Sequence, residues 1–129
     1  MRSFLFTLLL LCAVPTLFVP ADGTWLTRVP PRERTAPNPY ADDQNAIAAG
    51  LILFERNCAS CHGKTGLGDR RHPNLHAERV QNATDGELHW LLSNGDLKRG
   101  MPSWSRLPEA QRWQTIRYLH SLPIEEGKP

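Results

Sequence analysis

The sequence predicts an all-α fold. Three apolar stripes at helical spacing and one helix-start signature predict it, and no segment alternates as a strand would. Ile47, Leu51 and Phe54 recur at i, i+4 and i+7. Leu88, Leu91 and Leu92 follow Thr84-Asp85-Gly86-Glu87, a capping-box pattern with Thr84 as N-cap and Glu87 three residues on. Ala110, Trp113, Ile116, Leu119 and Leu122 repeat every three residues. The chain has 129 residues, enough for one small domain, and shows no internal repeat.

Residues 1–21 read as an export signal. Arg2 supplies the positive start, Phe4 to Val14 the apolar stretch, and Val19-Pro20-Ala21 the small residues of a cleavage site after Ala21. An uncleaved anchor is the alternative, although a membrane span needs about 20 apolar residues and Pro15 and Pro20 interrupt this one. Lipidation at Cys12 is disfavoured, because Leu9-Leu10-Leu11 lacks the small residue such a site carries just before its cysteine. Residues 22–40 hold Pro30, Pro31, Pro37 and Pro39 with Arg28, Arg32 and Arg34, and read as an extended linker or arm. A plain spacer is the expectation for it, ahead of a tether or a docking arm.

The globular domain is expected at 41–123, with a short tail at 124–129. Asp42 and Asp43 suit a helix start, and the first helix should run into Cys58. Residues 63–80, with Gly63, Gly66, Gly68 and Pro73, read as a long loop; loops of that length in small domains usually carry function. Asn94-Gly95 stops the second helix. A second loop spans 95–107. Pro108 and Glu109 suit the first turn of the last helix, and Pro123 ends it.

Cys58-Ala59-Ser60-Cys61-His62 is the chemically decisive segment. Cys-x-x-Cys-His is the attachment pattern of a c-type haem. Two intervening residues hold the sulfurs one helical turn apart, which matches the two vinyl groups they add to. The adjacent histidine then falls under the porphyrin and can bind iron. A redox dithiol and a zinc site are the rivals. A thioredoxin-like dithiol needs a βαβ context that is missing here, and zinc would need a second ligand pair. The export signal agrees with haem, because bacteria attach it outside the cytoplasmic membrane. Beyond Cys12 the chain holds only Cys58 and Cys61, which leaves no cysteine for a structural disulfide.

The iron needs a ligand on its other face. Met101, His72, His76, His89 and His120 are the candidates. His89 and His120 fall on expected helices. His72 and His76 lie in the loop that must fold along the His62 side of the ring. Met101 lies 39 residues beyond His62, in a loop between two helices and flanked by Gly100 and Pro102. That is enough chain to reach the opposite face. Met101 is therefore the expected sixth ligand, with a second histidine or an open site as alternatives; a core gap-filler is the structural role it would otherwise play. A thioether ligand favours ferrous iron and raises the reduction potential.

Taken together these residues resemble the class I monohaem cytochromes c, in the form of a bacterial periplasmic c-type cytochrome. The match covers about 46–122. It rests on Gly50 and Phe54, the Cys58–His62 motif, Pro73-Asn74-Leu75, Asn94-Gly95, Met101-Pro102-Ser103-Trp104 and Tyr118-Leu119. The resemblance implies the cytochrome c fold, three to four helices wrapped around one covalently attached haem c. It implies that the first and last helices cross at Gly50, with Phe54 near Tyr118. It also implies that the Pro73 carbonyl accepts a hydrogen bond from the second ring nitrogen of His62. The chain departs from the small mitochondrial-type proteins in having the arm and in lacking their dense lysine patch.

The implied function is one-electron transfer by an electron carrier that is not itself an enzyme. The general look is similar to bacterial cytochromes that accept electrons from periplasmic dehydrogenases, which suggests a dehydrogenase as donor and a terminal oxidase or another cytochrome as acceptor. Two alternatives stand beside it: a haem sensor or peroxidase with an open sixth site, and a permanently docked cytochrome subunit of a larger oxidoreductase. Net charge is +2, or +1 without the signal, too mild for nucleic acid or for polybasic membrane binding. Membrane attachment is expected only if the N-terminal segment is retained; otherwise the protein is exported and soluble. Arg70-Arg71 and Lys98-Arg99 are read as ordinary solvated charge, or as a cationic rim for an acidic partner.

Overall fold

Asp43 starts the first long helix by accepting a hydrogen bond on its side chain from the Asn45 N–H at 2.8 Å. The computed structural model describes residues 24–125, so the expected signal at 1–21 and the last four residues of the tail lie outside it. Six α-helices occur among the described residues: α1 (Pro31–Arg34), α2 (Gln44–Asn57), α3 (Ala59–His62), α4 (Glu78–Gln81), α5 (Asp85–Asn94) and α6 (Glu109–Leu119). Two 3-10 turns lie at Leu26–Arg28 and Leu97–Arg99. Among the described residues the β-structure is one isolated antiparallel bridge between Asp96 and Met101.

Helices α2 and α6 cross in the most extensive helix contact of the fold. The crossing requires glycine at position 50. A Cβ there would meet the Gln114 carbonyl oxygen and come within 2.6 Å of the Tyr118 Cβ. One turn on, the Phe54 and Tyr118 rings pack with centroids 5.3 Å apart, and Phe54 is fully buried. The buried face of α2 is thus Ala46, Gly50 and Phe54. The expected stripe is corrected at Leu51, which is 37% exposed, whereas Ile47 is half-buried. Close backbone approach selects small residues, so hydrophobicity alone pointed to a neighbouring stripe.

Thr84 and Glu87 form the capping box. The Thr84 hydroxyl accepts from the Glu87 N–H at 3.1 Å, and the Glu87 carboxylate accepts from the Thr84 N–H at 2.9 Å. Leu88 and Leu92 are buried behind it. On α6, Trp113, Ile116 and Leu119 are buried and Ala110 is exposed. A strict three-residue repeat drifts around a helix of 3.6 residues per turn, so its first member leaves the face. The helix ends at Leu119, before Pro123.

Residues 24–40 are not an extended spacer, and that expectation is corrected. Trp25 and Val29 are buried and join Leu88, Leu92, Trp113 and Ile116 in the larger core cluster. The Arg34 guanidinium donates to the Leu26 carbonyl at 2.6 Å and the Val29 carbonyl at 3.2 Å, and reaches the Glu87 carboxylate at 3.4 Å. The Thr84 hydroxyl donates to the Arg34 carbonyl at 2.6 Å. Asn38, also buried, donates from Nδ2 to the Trp113 carbonyl at 3.1 Å. Gly86 makes room for this docking, because a Cβ there would meet the Glu33 carbonyl oxygen. The prolines shape a folded strap.

The start of the tail is also tied down. Asn74 Nδ2 donates to the Glu125 carbonyl at 2.7 Å, and the Glu125 N–H donates to the His76 carbonyl at 3.0 Å.

Candidate functional site

The end of α2 and the single turn of α3 carry Cys58, Cys61 and His62 to the wall of a cavity of about 370 Å³. The Cys58 N–H caps α2 by donating to the Phe54 carbonyl at 2.8 Å, and the His62 N–H donates to the Cys58 carbonyl at 2.9 Å. One helical turn therefore separates the sulfurs. Phe54, Leu75, Val80, Leu88, Leu91, Leu92 and Leu119 make the wall predominantly apolar. Met101, Pro102 and Trp104 line the same cavity from the loop between α5 and α6. All four residues expected to hold the haem and its iron thus face one space.

The His62 ring is oriented by a single bond. Its Nδ1 lies 3.2 Å from the Pro73 carbonyl oxygen. A carbonyl only accepts, so the proton sits on Nδ1 and Nε2 keeps its lone pair. Burial lowers the His62 pKa, opposed by the Pro73 bond and altered further by His72 and Asp69. The neutral imidazole that binds a metal is therefore the favoured form. The Cys58 thiol is pushed up to about 11, by burial first and by Cys61 second. A redox dithiol needs the opposite shift. Cys58 therefore lies against the apolar wall as an uncharged thiol, unlike the thiolate of a redox dithiol.

The histidines offered as alternative sixth ligands are placed elsewhere or on the near side. His89 stacks on Trp113 with ring centroids 3.9 Å apart. His120 Nδ1 lies 2.9 Å from the Asp85 carboxylate. His76 is held between the Thr65 carbonyl at 2.7 Å from Nε2 and the Pro123 carbonyl at 3.0 Å from Nδ1. His72 does line the cavity, but its ring centroid is 6.3 Å from that of His62, and Asp69 holds its Nδ1 at 3.0 Å. It sits beside His62 and does not face it across the space.

Several wall residues were not foreseen. Trp25 reaches the cavity from the strap, and Arg79 and Asp96 line it as well. Trp25 and Val29 flank the 3-10 turn at Leu26–Arg28, too short an element to leave an apolar periodicity in the sequence. Of the expected cationic residues, Arg71 and Arg99 line the cavity, and Arg70 and Lys98 are exposed. Trp104 packs at the wall under the Arg106 guanidinium, 4.3 Å from its ring centroid.

The donor set fits haem c. It comprises two thiols one turn apart, a neutral imidazole with one nitrogen committed to Pro73, and a thioether, all on one apolar cavity. Among the described residues, no group of three or more His, Cys, Asp or Glu side chains is arranged to hold a bare metal ion.

A family model described as cytochrome C oxidase, cbb3-type, subunit III matches residues 45–119. The chain belongs to this family. It is a c-type cytochrome domain, an electron-transfer module with the all-α cytochrome c fold, and the family implies haem c. The domain is 38% identical over 98 residues to the cbb3-type cytochrome c oxidase subunit CcoP of Rhodobacter capsulatus, covering 62% of this chain and 30% of that protein. It is 31% identical over 106 residues to the cbb3-type oxidase subunit FixP of Sinorhizobium medicae, covering 67% of this chain and 33% of that one. The chain therefore spans about a third of these curated relatives. Among solved structures, cytochrome CL of Methylophaga aminisulfidivorans superposes with a TM-score of 0.60 at 27% identity, over 69% of this chain and 61% of that one. No helix among the described residues is long and apolar enough to cross a membrane.

Proposed function

We propose that this cytochrome domain is a one-electron carrier with a single haem c, held by thioethers from Cys58 and Cys61 and ligated by His62 and Met101. The observation that carries the reading is the meeting of these four side chains on one apolar cavity, with His62 oriented by Pro73. When bound, the haem supplies the iron that alternates between ferric and ferrous states. The protein's own residues fix both ligands, exclude water and limit reorganisation. Pro73 holds the imidazole in one tautomer and raises its basicity. The Met101 thioether favours the ferrous form. No side chain makes or breaks a substrate bond, so the domain is a carrier and not an enzyme.

An export signal at 1–21, as the sequence reads, would deliver it to the periplasm, to take electrons from a dehydrogenase and pass them to a terminal oxidase or another cytochrome. Arg71 and Arg99 line the cavity, with Arg70 and Lys98 exposed beside them in sequence, and this cationic set would steer an acidic partner, an effect weakened by salt. Mass spectrometry of the exported protein tests the cofactor: one haem per chain should survive denaturation and be lost in the Cys58→Ala/Cys61→Ala double variant. Haem that dissociates on denaturation would sink the proposal.

The family match favours a second reading, a subunit docked in a terminal oxidase. The strap is poorly suited to such docking, because Trp25 and Val29 are buried in the domain's own core. Co-purification with an oxidase at fixed stoichiometry would establish the docked form; a free monohaem protein would establish the shuttle.

A further inference from the structure

The strap reaches the loop that carries Met101. Arg28 Nη2 lies 2.9 Å from Asp96 Oδ1, and the Asp96 side chain is only 8% exposed. Asp96 in turn faces Met101 across the antiparallel bridge. The Asp96 N–H donates to the Met101 carbonyl at 2.8 Å, and the Met101 N–H donates to the Asp96 carbonyl at 3.1 Å. The side chain of Asp96 is thus gripped by the strap while its backbone grips Met101.

Both ends of this linkage are anchored. Arg28 donates its own N–H to the Trp25 carbonyl at 3.0 Å, and Trp25 is a buried wall of the cavity. The Arg28 guanidinium also lies over the Trp90 ring, 5.8 Å from its centroid. Arg99 also approaches Asp96, at 3.9 Å, and that contact lies within the loop itself. The far side of the loop is held to α5 by the Ser103 hydroxyl on the Ser93 carbonyl at 2.6 Å and the Trp104 N–H on the Leu92 carbonyl at 2.7 Å.

We propose that Arg28 is a positioning residue for the sixth haem ligand: through Asp96 it holds the 96–101 turn closed and keeps Met101 on the iron. The proposal rests on the His62/Met101 reading above. Displacing the thioether requires the turn to open, and a contact made only in the closed form shifts that equilibrium toward Met101 ligation. The strap is then the part of the chain that sets how readily the sixth position opens.

The test uses the haem-matured full chain as wild type, Arg28→Ala, Arg28→Lys and Arg32→Ala. Arg32 pairs with Glu33 on the exposed side of the strap and serves as the charge control. Three quantities are read: the temperature at which the far-red sulfur-to-iron band disappears, carbon monoxide affinity of the ferrous form, and hydrogen exchange at the Asp96 and Met101 amides. Arg28→Ala should lose the band at lower temperature, bind carbon monoxide severalfold more tightly and exchange faster at those two amides. Arg28→Lys should recover part of each effect, and Arg32→Ala should match wild type. Unchanged behaviour in Arg28→Ala, an equal effect from Arg32→Ala, or faster exchange spread evenly over the fold would each overturn the positioning role alone. A wild type without the far-red band overturns the Met101 reading and this proposal together.

Discussion

Asp69 shows how single residues shape the haem-side loop. Its carboxylate accepts hydrogen bonds from the Arg71 N–H at 2.7 Å, the His72 N–H at 2.9 Å and the His72 ring at 3.0 Å. These bonds, the Arg71 backbone first, hold its pKa down at about 2. The folded chain therefore binds the Asp69 proton more weakly than the unfolded chain does. Whatever these bonds contribute is fully present above the ordinary aspartate pKa and is lost as pH falls toward about 2. An NMR titration of Asp69 should show its midpoint well below that of a free carboxylate; a midpoint near 4 would contradict the turn. The motif cysteines and His62 were legible at this scale because their spacing is the chemistry. The partners that tune them were less so. Nothing in the sequence shows that Asp96 would be buried, or that an arginine far upstream would reach it.

At the scale of elements, local signals were the reliable ones. The Thr84 capping box is complete in four residues, so the sequence displays it whole. Thr84→Ala should cost about 1 kcal/mol in denaturant unfolding, and Thr84→Ser should restore most of it. The face of α2 was harder to read. Leu51 is more hydrophobic than Gly50, yet Gly50 is the residue at the helix crossing. A methyl group there would strike backbone, so Gly50→Ala should destabilise by about 1–3 kcal/mol despite the better helix propensity of alanine. Stabilisation in that variant would mean that α2 and α6 do not meet as described. Periodicity reports which residues avoid water, and it is silent on where two backbones touch.

At the scale of the whole molecule, one apolar cavity is walled by parts distant in sequence. The Cys58–His62 turn forms one wall, the Met101 loop another, and the N-terminal strap a third through Trp25. Proline and arginine content suggests solvated chain here, and only two of the strap's side chains, Trp25 and Val29, enter the buried core. This packing makes the strap structural. Trp25→Ala should cost about 3–5 kcal/mol, the range for truncating a buried aromatic, and should weaken haem-dependent stability. A neutral result in thermal unfolding would return the strap to the status of a spacer. The small domain also gains from the haem itself, because about 80 residues around an apolar cavity form a marginal core on their own.

The central claim is that His62 and Met101 hold one haem for electron transfer. The most direct measurement is the absorption spectrum of the exported, haem-matured protein in ferric and ferrous states, wild type beside Met101→Ala. Wild type should give low-spin spectra, with a weak far-red sulfur-to-iron band that vanishes in the variant. A high-spin ferric wild type without that band would contradict the claim and would point to an open sixth site, the chemistry of a sensor or a peroxidase.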